Sequence, residues 1–173
     1  MSTDDDDADK SWCTVAYWEL RQRVGPLYVV RQPHVDVFSE LVLGSGLCLS
    51  QLHPAAARVD AAVLRARRKI GAGLVLSRES DGIWVYNRSQ YPIFVARPLS
   101  TRLSPSTSTV DRLPPGCCLR VMDADVDRWA PVDGPCSRCS IQVSFGKGFG
   151  TDRYSRRTIH SCPCWIEILL RLT

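Results

Sequence analysis

The sequence predicts a mainly β fold, an antiparallel β-sandwich, and three observations carry that expectation. Roughly ten short runs are rich in aromatic and β-branched residues, and glycine or proline punctuates them at close intervals. A single stretch shows a clear helical period. No internal repeat or linker divides the 173 residues, a length that suits one domain with its own core.

In chain order, Trp12–Leu20 (WCTVAYWEL) reads as a strand, and Gly25-Pro26 breaks the chain before Leu27–Arg31. His34–Phe38 is another short strand. Gly44-Ser45-Gly46 is a turn, and Leu47–Leu52 is a further strand. Pro54 then opens the helix, Ala55–Ile70. Val59, Val63, Ala66 and Ile70 fall at offsets of 0, 4, 7 and 11 and form one apolar stripe. Arg58, Arg65 and Lys69 lie about a quarter-turn away, with Arg68 beyond them. Gly71 and Gly73 stop the helix. Asp81-Gly82 between Gly73–Ser77 and Ile83–Tyr86 signals a hairpin. Pro92–Arg97 is a strand, Ser100–Thr109 a Ser/Thr-rich loop, and Pro114-Pro115-Gly116 a turn before Cys117–Met122. Asp123–Ser140 is irregular, and Ile141–Phe145 and Cys164–Leu170 are the last strands.

Hydrophobic residues make up 45% of the chain and charged ones 23%, an ordinary globular balance. No apolar run approaches the roughly 20 residues of a membrane span. The first ten residues, MSTDDDDADK, lack the features of a secretory signal and read as an acidic disordered tail. Their five Asp against one Lys amount to −4, so the remaining chain carries +8 of the net +4. That excess favours an anionic partner. Without a secretory signal, the eight cysteines are expected as mostly buried free thiols in a reducing compartment.

The most informative stretch is Ser144–Leu170. Between two strands it holds Gly146, Gly148 and Gly150, with Lys147, Arg153, Arg156 and Arg157 against one acid, Asp152. Such a loop suits an anion. GKGFG is not a nucleotide fingerprint: it lacks the G-K-[ST] ending, opens no helix, and has Thr151 where a third glycine would stand. Cys136-x-x-Cys139 with Cys162-x-Cys164 leaves zinc open, although only the first pair has knuckle spacing; buried or incidental thiols are the plainer reading. His34, His53 and His160 are scattered and sit in no catalytic motif. RARRK on the helix could meet nucleic acid, but its apolar stripe commits one face to the core, and a solvated charged face is the plainer alternative. Asn87-Arg88-Ser89 is a glycosylation sequon expected in a hairpin turn. A specific anionic protein partner accounts for both the helix and the loop.

Several segments resemble one family in order: SWCTVAYWELRQRVG at Ser11–Gly25, ARRKIGAGLVL at Ala66–Leu76, DGIWVYNRSQYPIFV at Asp81–Val95, LPPGCCLRVMD at Leu113–Asp123, and the tail IQVSFGKGFG with CPCWIEILL. They are similar to the C-terminal Mad-homology 2 domain of Smad proteins, and WCTVAYWE, DGIWVYNR and HSCPCWIEILL are closest to the inhibitory class. The resemblance implies a Smad/FHA-like sandwich over 11–173, with a loop-helix region at one end and a reduced helical element, within Ala124–Ser140, at the other. It implies no enzyme and no cofactor. The implied partners are a type I receptor serine/threonine kinase of the TGF-β/BMP family, receptor-regulated Smads and a homo-oligomer such as a trimer. The implied setting is cytoplasm and nucleus. By the same resemblance, the receptor or phospho-partner contact falls on Arg65, Arg67, Arg68 and Lys69 of the helix and on Lys147, Arg153, Tyr154, Arg156 and Arg157 of the loop. Gly146, Gly148 and Gly150 supply its backbone. A decoy that binds activated receptor-regulated Smads and a DNA-bound co-repressor module are the alternative readings. The sequence departs from the family pattern at Phe149, where Trp is usual, and in a Gly150–Tyr154 stretch one residue longer than usual. Pro114-Pro115 runs into Gly116-Cys117 rather than a Pro-Pro-x-Tyr motif, so ubiquitin-ligase recruitment would need regions outside this chain.

Overall fold

The computed structural model describes residues 11–41, 44–54, 58–97, 110–124, 140–150 and 153–171. The acidic tail, the Ser/Thr loop Ser100–Thr109, and the Ala124–Ser140 segment apart from its two ends lie outside them.

Twelve strands and one α-helix make up the described fold. The strands are β1 (Cys13–Glu19), β2 (Gln22–Arg23), β3 (Tyr28–Val30), β4 (His34–Phe38), β5 (Gly46–Cys48), β6 (Leu74–Glu79), β7 (Gly82–Asn87), β8 (Ile93–Ala96), β9 (Val110–Leu113), β10 (Cys118–Asp123), β11 (Ser140–Phe145) and β12 (Trp165–Leu170), with α1 at Ala61–Ile70. One sheet runs β2-β1-β12-β11-β8-β9, and β3 shares the β1 edge with β2. The other runs β10-β7-β6-β4-β5. Every pairing is antiparallel except β4 with β5, so the sandwich is mixed at that edge.

Alternation along the strands builds one core between the sheets. β1 sends in Cys13, Val15 and Tyr17, β11 sends in Ile141, Val143 and Phe145, and β12 sends in Ile166 and Ile168. Leu74, Leu76, Val85, Val35 and Val37 answer from the second sheet, and Val63, Ala66 and Ile70 from α1. The outer face of the first sheet is also covered. Trp18, Trp165, Ser144 and Phe94 are cross-strand neighbours in one row, and Trp18 stacks on Trp165 with centroids 5.2 Å apart. The basic loop that joins β11 to β12 folds back over this row through Phe149, Ile159 and Cys162, which makes a second apolar cluster.

The structure corrects several expectations. The helix starts at Ala61 and not at Ala55: Asp60 has non-helical dihedrals, and its carboxylate accepts the Ala62 N–H at 2.7 Å. This N-cap sets the boundary where Pro54 was expected to. Ala55–Ala57 lie outside the described residues, and Val59 sits half-buried before the helix rather than on it. Leu47–Leu52 is only a strand as far as Cys48; Leu49–Leu52 closes into a 3-10 turn, with Ser50 donating its hydroxyl to the Ser39 carbonyl at 3.0 Å. β2 and β9 were not foreseen, because Gln22-Arg23 and Asp111-Arg112 carry no apolar alternation and are held by their ladders.

The sequon does not sit in a hairpin turn. Asn87 ends β7, and the chain then crosses to the other sheet at β8. The Asn87 side chain is buried. It donates to the carbonyls of Tyr91 (2.8 Å) and Leu113 (3.0 Å) and accepts from the N–H and hydroxyl of Ser89. Its amide is a structural brace that no glycan can reach in the folded chain. Asn87→Ala strands these buried groups and is expected to cost about 1–3 kcal/mol, read by urea denaturation.

Candidate functional site

The loop after β11 is shaped before any charge is placed on it. The Ser144 hydroxyl donates to the Lys147 carbonyl at 2.7 Å, and the Gly146 N–H donates to the Pro92 carbonyl at 3.1 Å. The Gly150 N–H, on a glycine in left-handed backbone, donates to the Arg156 carbonyl at 2.9 Å and closes the loop on itself. Two glycines are required by close approach. Gly146 has φ of 71° and lies against the Lys69 stem, where a Cβ would come within 2.9 Å of Cδ. A Cβ on Gly148 would run into the Tyr154 ring. That ring in turn meets Phe94 edge-on at 5.4 Å. Phe149, the position that departs from the family's Trp, is 4% exposed and anchors the loop in the second apolar cluster.

This shape brings the loop to α1. The Lys69 ammonium sits 5.5 Å from the centroid of Tyr91, a cation–π distance. Lys147 stands beside Lys69. Its ammonium is held below the usual lysine range, first by the charge of Lys69, then by partial burial, and then by the charges of Arg156 and Arg65. Among the described residues, no carboxylate forms an ion pair with Arg65, Lys69, Lys147 or Arg156. Arg156 is fixed by its Nε donating to the Ser161 carbonyl at 3.2 Å. The charges of Lys69, Arg156 and Arg65 therefore act together on Lys147 with no carboxylate paired to them among the described residues, which do not include Asp152, and such an arrangement favours an anion.

The other expected residues divide. Arg68, Arg153 and Arg157 are exposed and are not among the charges that dominate at Lys147. Tyr154 serves as a wall for the loop, half-buried against Gly148 and Phe94. Arg67 does not join the cluster. It points back to β1, where its Nε and Nη2 each donate to a Glu19 carboxylate oxygen at 2.6 Å. Both side chains are largely buried, at 15% and 11% exposure.

Glu19 also accepts the Tyr17 hydroxyl at 2.7 Å and faces His53 at 3.7 Å. This network of Tyr17, Glu19, His53 and Arg67 fixes α1 to the first sheet. Burial opposes ionisation of Glu19, but hydrogen bonds from Arg67 and Tyr17, with the charges of Arg67 and His53, outweigh it and hold the carboxyl below the usual range. Burial, then the Arg67 charge, push His53 below its ordinary value, with Glu19 opposing. Burial drives the Tyr17 phenol upward and pushes the Cys164 thiol beneath it to about 12. Both Glu19 and His53 have depressed values in the folded state, so the native protein binds fewer protons than the unfolded chain. Their stabilisation is present at higher pH and is lost on acidification. The loss begins near the ordinary histidine value of 6.5 for His53 and near 4.5 for Glu19, and each continues down through its folded value. The urea midpoint of the native chain is expected to start falling near pH 6.5. His53→Gln removes that upper step and leaves the lower one.

Half of the candidate zinc set cannot be placed. Cys136 and Cys139 lie outside the described residues, and among the described residues no three His, Cys, Asp or Glu are placed to hold an ion. Cys162 and Cys164 precede β12 rather than lying on it, and they enter different apolar clusters. Of the six described cysteines, Cys13, Cys162 and Cys164 are buried free thiols and Cys48 is half-buried. Cys117, just before edge strand β10, and Cys118, its first residue, are exposed.

The family profile described as MH2 domain matches residues 10–171. The chain is 44% identical over 180 residues to Mothers against decapentaplegic homolog 6 of Gallus gallus, a match that covers 98% of this chain and 40% of that protein. It is 41% identical over 165 residues to homolog 7 of Homo sapiens and of Mus musculus, covering 91% of this chain and 38% of theirs. The chain thus spans about two fifths of the length of these relatives. In solved structures, the fold is similar to the IAD domain of interferon regulatory factor 9, with a TM-score of 0.60 at 14% identity, covering 92% of this chain and 83% of that one. A structure of STAT2 in complex with IRF9 gives the same TM-score at 12% identity, covering 93% and 91%.

Proposed function

Because the chain belongs to the MH2 domain family, with inhibitory Smads among its relatives, we propose that it is a phosphate-reading interaction module that occupies an activated type I receptor kinase of the TGF-β/BMP family. In doing so it competes with receptor-regulated Smads. The observation that carries this reading is the convergence of Lys69, Arg156 and Arg65 on Lys147, with no acid to neutralise them among the described residues.

Phosphorylation adds about −1.5 to −2 charges per site and three acceptor oxygens. Arg65 and Arg156 offer planar forks that can grip a phosphate through two N–H groups, and Lys69 and Lys147 act as compact point charges. An anion placed among these cations relieves their mutual repulsion, so the pre-set geometry of the loop becomes binding energy instead of strain. The glycines let the loop backbone lie close to α1. The anchoring of Phe149 and Tyr154 means that little ordering is needed on binding.

A phosphoserine tail of a receptor-regulated Smad presents the same chemistry and defines the decoy reading. Co-precipitation of the domain with a phosphorylated receptor cytoplasmic region and with a phosphorylated Smad tail separates the two. The receptor reading expects capture of the receptor, and capture of the Smad tail alone replaces it with the decoy. A groove-reading DNA module is disfavoured by α1 itself, which buries Val63, Ala66 and Ile70 and spends Arg67 on Glu19.

A further inference from the structure

A second groove lies on the other flank of α1. Positions 63 and 67 face it, while positions 65 and 69 lie roughly opposite on the helix, where Lys69 meets the Lys147 loop. Its volume is about 410 Å3, within the range of roughly 300–1,000 Å3 that holds specific ligands. The floor is aliphatic: Leu20, Leu52 and Val59 are half-buried, over the buried Val24 and Val63.

The rim is basic. Arg23 of β2 and Arg58 before α1 are exposed, and neither pairs with a carboxylate among the described residues. The two acids that line the groove are already engaged, Glu19 by Arg67 and Asp60 by the N-terminus of α1. One lip is held rigidly. Leu20 has φ of 55°, unusual for a residue with a branched side chain. Its N–H donates to the carbonyls of Cys162 (3.2 Å) and Pro163 (3.3 Å), and its carbonyl accepts the Trp165 indole N–H at 2.8 Å.

We propose that this groove docks a short acidic–apolar segment of a partner protein. One large apolar side chain of that segment fills the aliphatic floor, and flanking Asp or Glu carboxylates reach Arg23 and Arg58. The occupant follows from charge and surface type together. A bare phosphate would leave the floor unused, and an uncharged apolar segment would leave two arginines without partners. The site is separate from the Lys147 cluster and does not depend on the phosphate reading.

The test titrates the 15N-labelled domain with a capped peptide of sequence Glu-Asp-Leu-Phe-Asp-Glu, followed by NMR. Two control peptides replace either the Leu-Phe pair by serines or the acids by their amides. Saturable shifts at Val24, Leu52 and Val59 are expected, and each control should lose them. Arg23→Glu with Arg58→Glu should weaken binding by at least about tenfold, as loss of complementary charge does. Both positions are exposed, so the dispersion of the spectrum should survive. Lys147→Glu with Arg156→Glu should leave this binding unchanged. The proposal is overturned by shifts confined to the Lys69–Lys147 region, by equal binding of either control, by indifference to the Arg23/Arg58 variant, or by an absence of saturable shifts.

Discussion

Lys147→Glu combined with Arg156→Glu is expected to lower the affinity for a phosphorylated type I receptor segment by about 2–5 kcal/mol, or roughly 30-fold to beyond 1,000-fold. Both substitutions remove a cation and leave a carboxylate where phosphate would sit, so repulsion adds to the lost attraction. The fold should survive. Lys147 holds the loop through its backbone carbonyl, which accepts from Ser144 whatever the side chain is. Arg156 loses one bond to the Ser161 carbonyl, a net of about 0.5–1.5 kcal/mol. Circular dichroism and a thermal melt check this. Arg120→Glu, on β10 of the other sheet and paired there with Asp81 and Asp123, is a charge reversal away from the site and should leave affinity nearly unchanged.

The second large effect falls on stability. Glu19→Ala leaves the Arg67 guanidinium, 15% exposed, without its bidentate partner and deprives Tyr17 of an acceptor. Breaking one side of such a pair costs about 3–5 kcal/mol, a large fraction of the stability of a domain this size. Glu19→Leu together with Arg67→Met, which removes both charges and keeps the volume, should recover most of that loss. Urea denaturation of the two variants reads the difference. The double variant also decides what Arg67 does. If its role is to seat α1, phosphopeptide affinity persists once the pair is replaced as a unit. If Arg67 itself grips the phosphate, affinity falls despite restored stability.

That distinction could not be drawn from the sequence. The helix face and the glycine-rich loop were visible as separate basic segments, because charge and glycine are local signals. Most strand positions followed from aromatic and β-branched runs between glycines and prolines, and the core takes Val15, Tyr17, Val143 and Ile166 from those runs. Arg67 looked equivalent to Arg65 and Arg68, and its commitment depends on Glu19, 48 residues earlier in the chain. No local pattern encodes such a pair. The same holds for His53 and for Tyr91 beneath Lys69, which gave no local signal. The helix start was misread because Pro54 is a familiar opening residue, whereas the cap that decides it is the Asp60 carboxylate. Phe149 stood out only as a departure from the family pattern, and its burial in the second apolar cluster anchors the loop.

The most direct measurement is calorimetric titration of this domain with the juxtamembrane segment of a type I receptor kinase, phosphorylated and unphosphorylated, at two salt concentrations. The phosphorylated form is predicted to bind at least about tenfold more tightly, with the advantage shrinking as salt rises. Equal affinity for the two forms would contradict the assignment of the Lys69–Lys147 cluster as a phosphate reader.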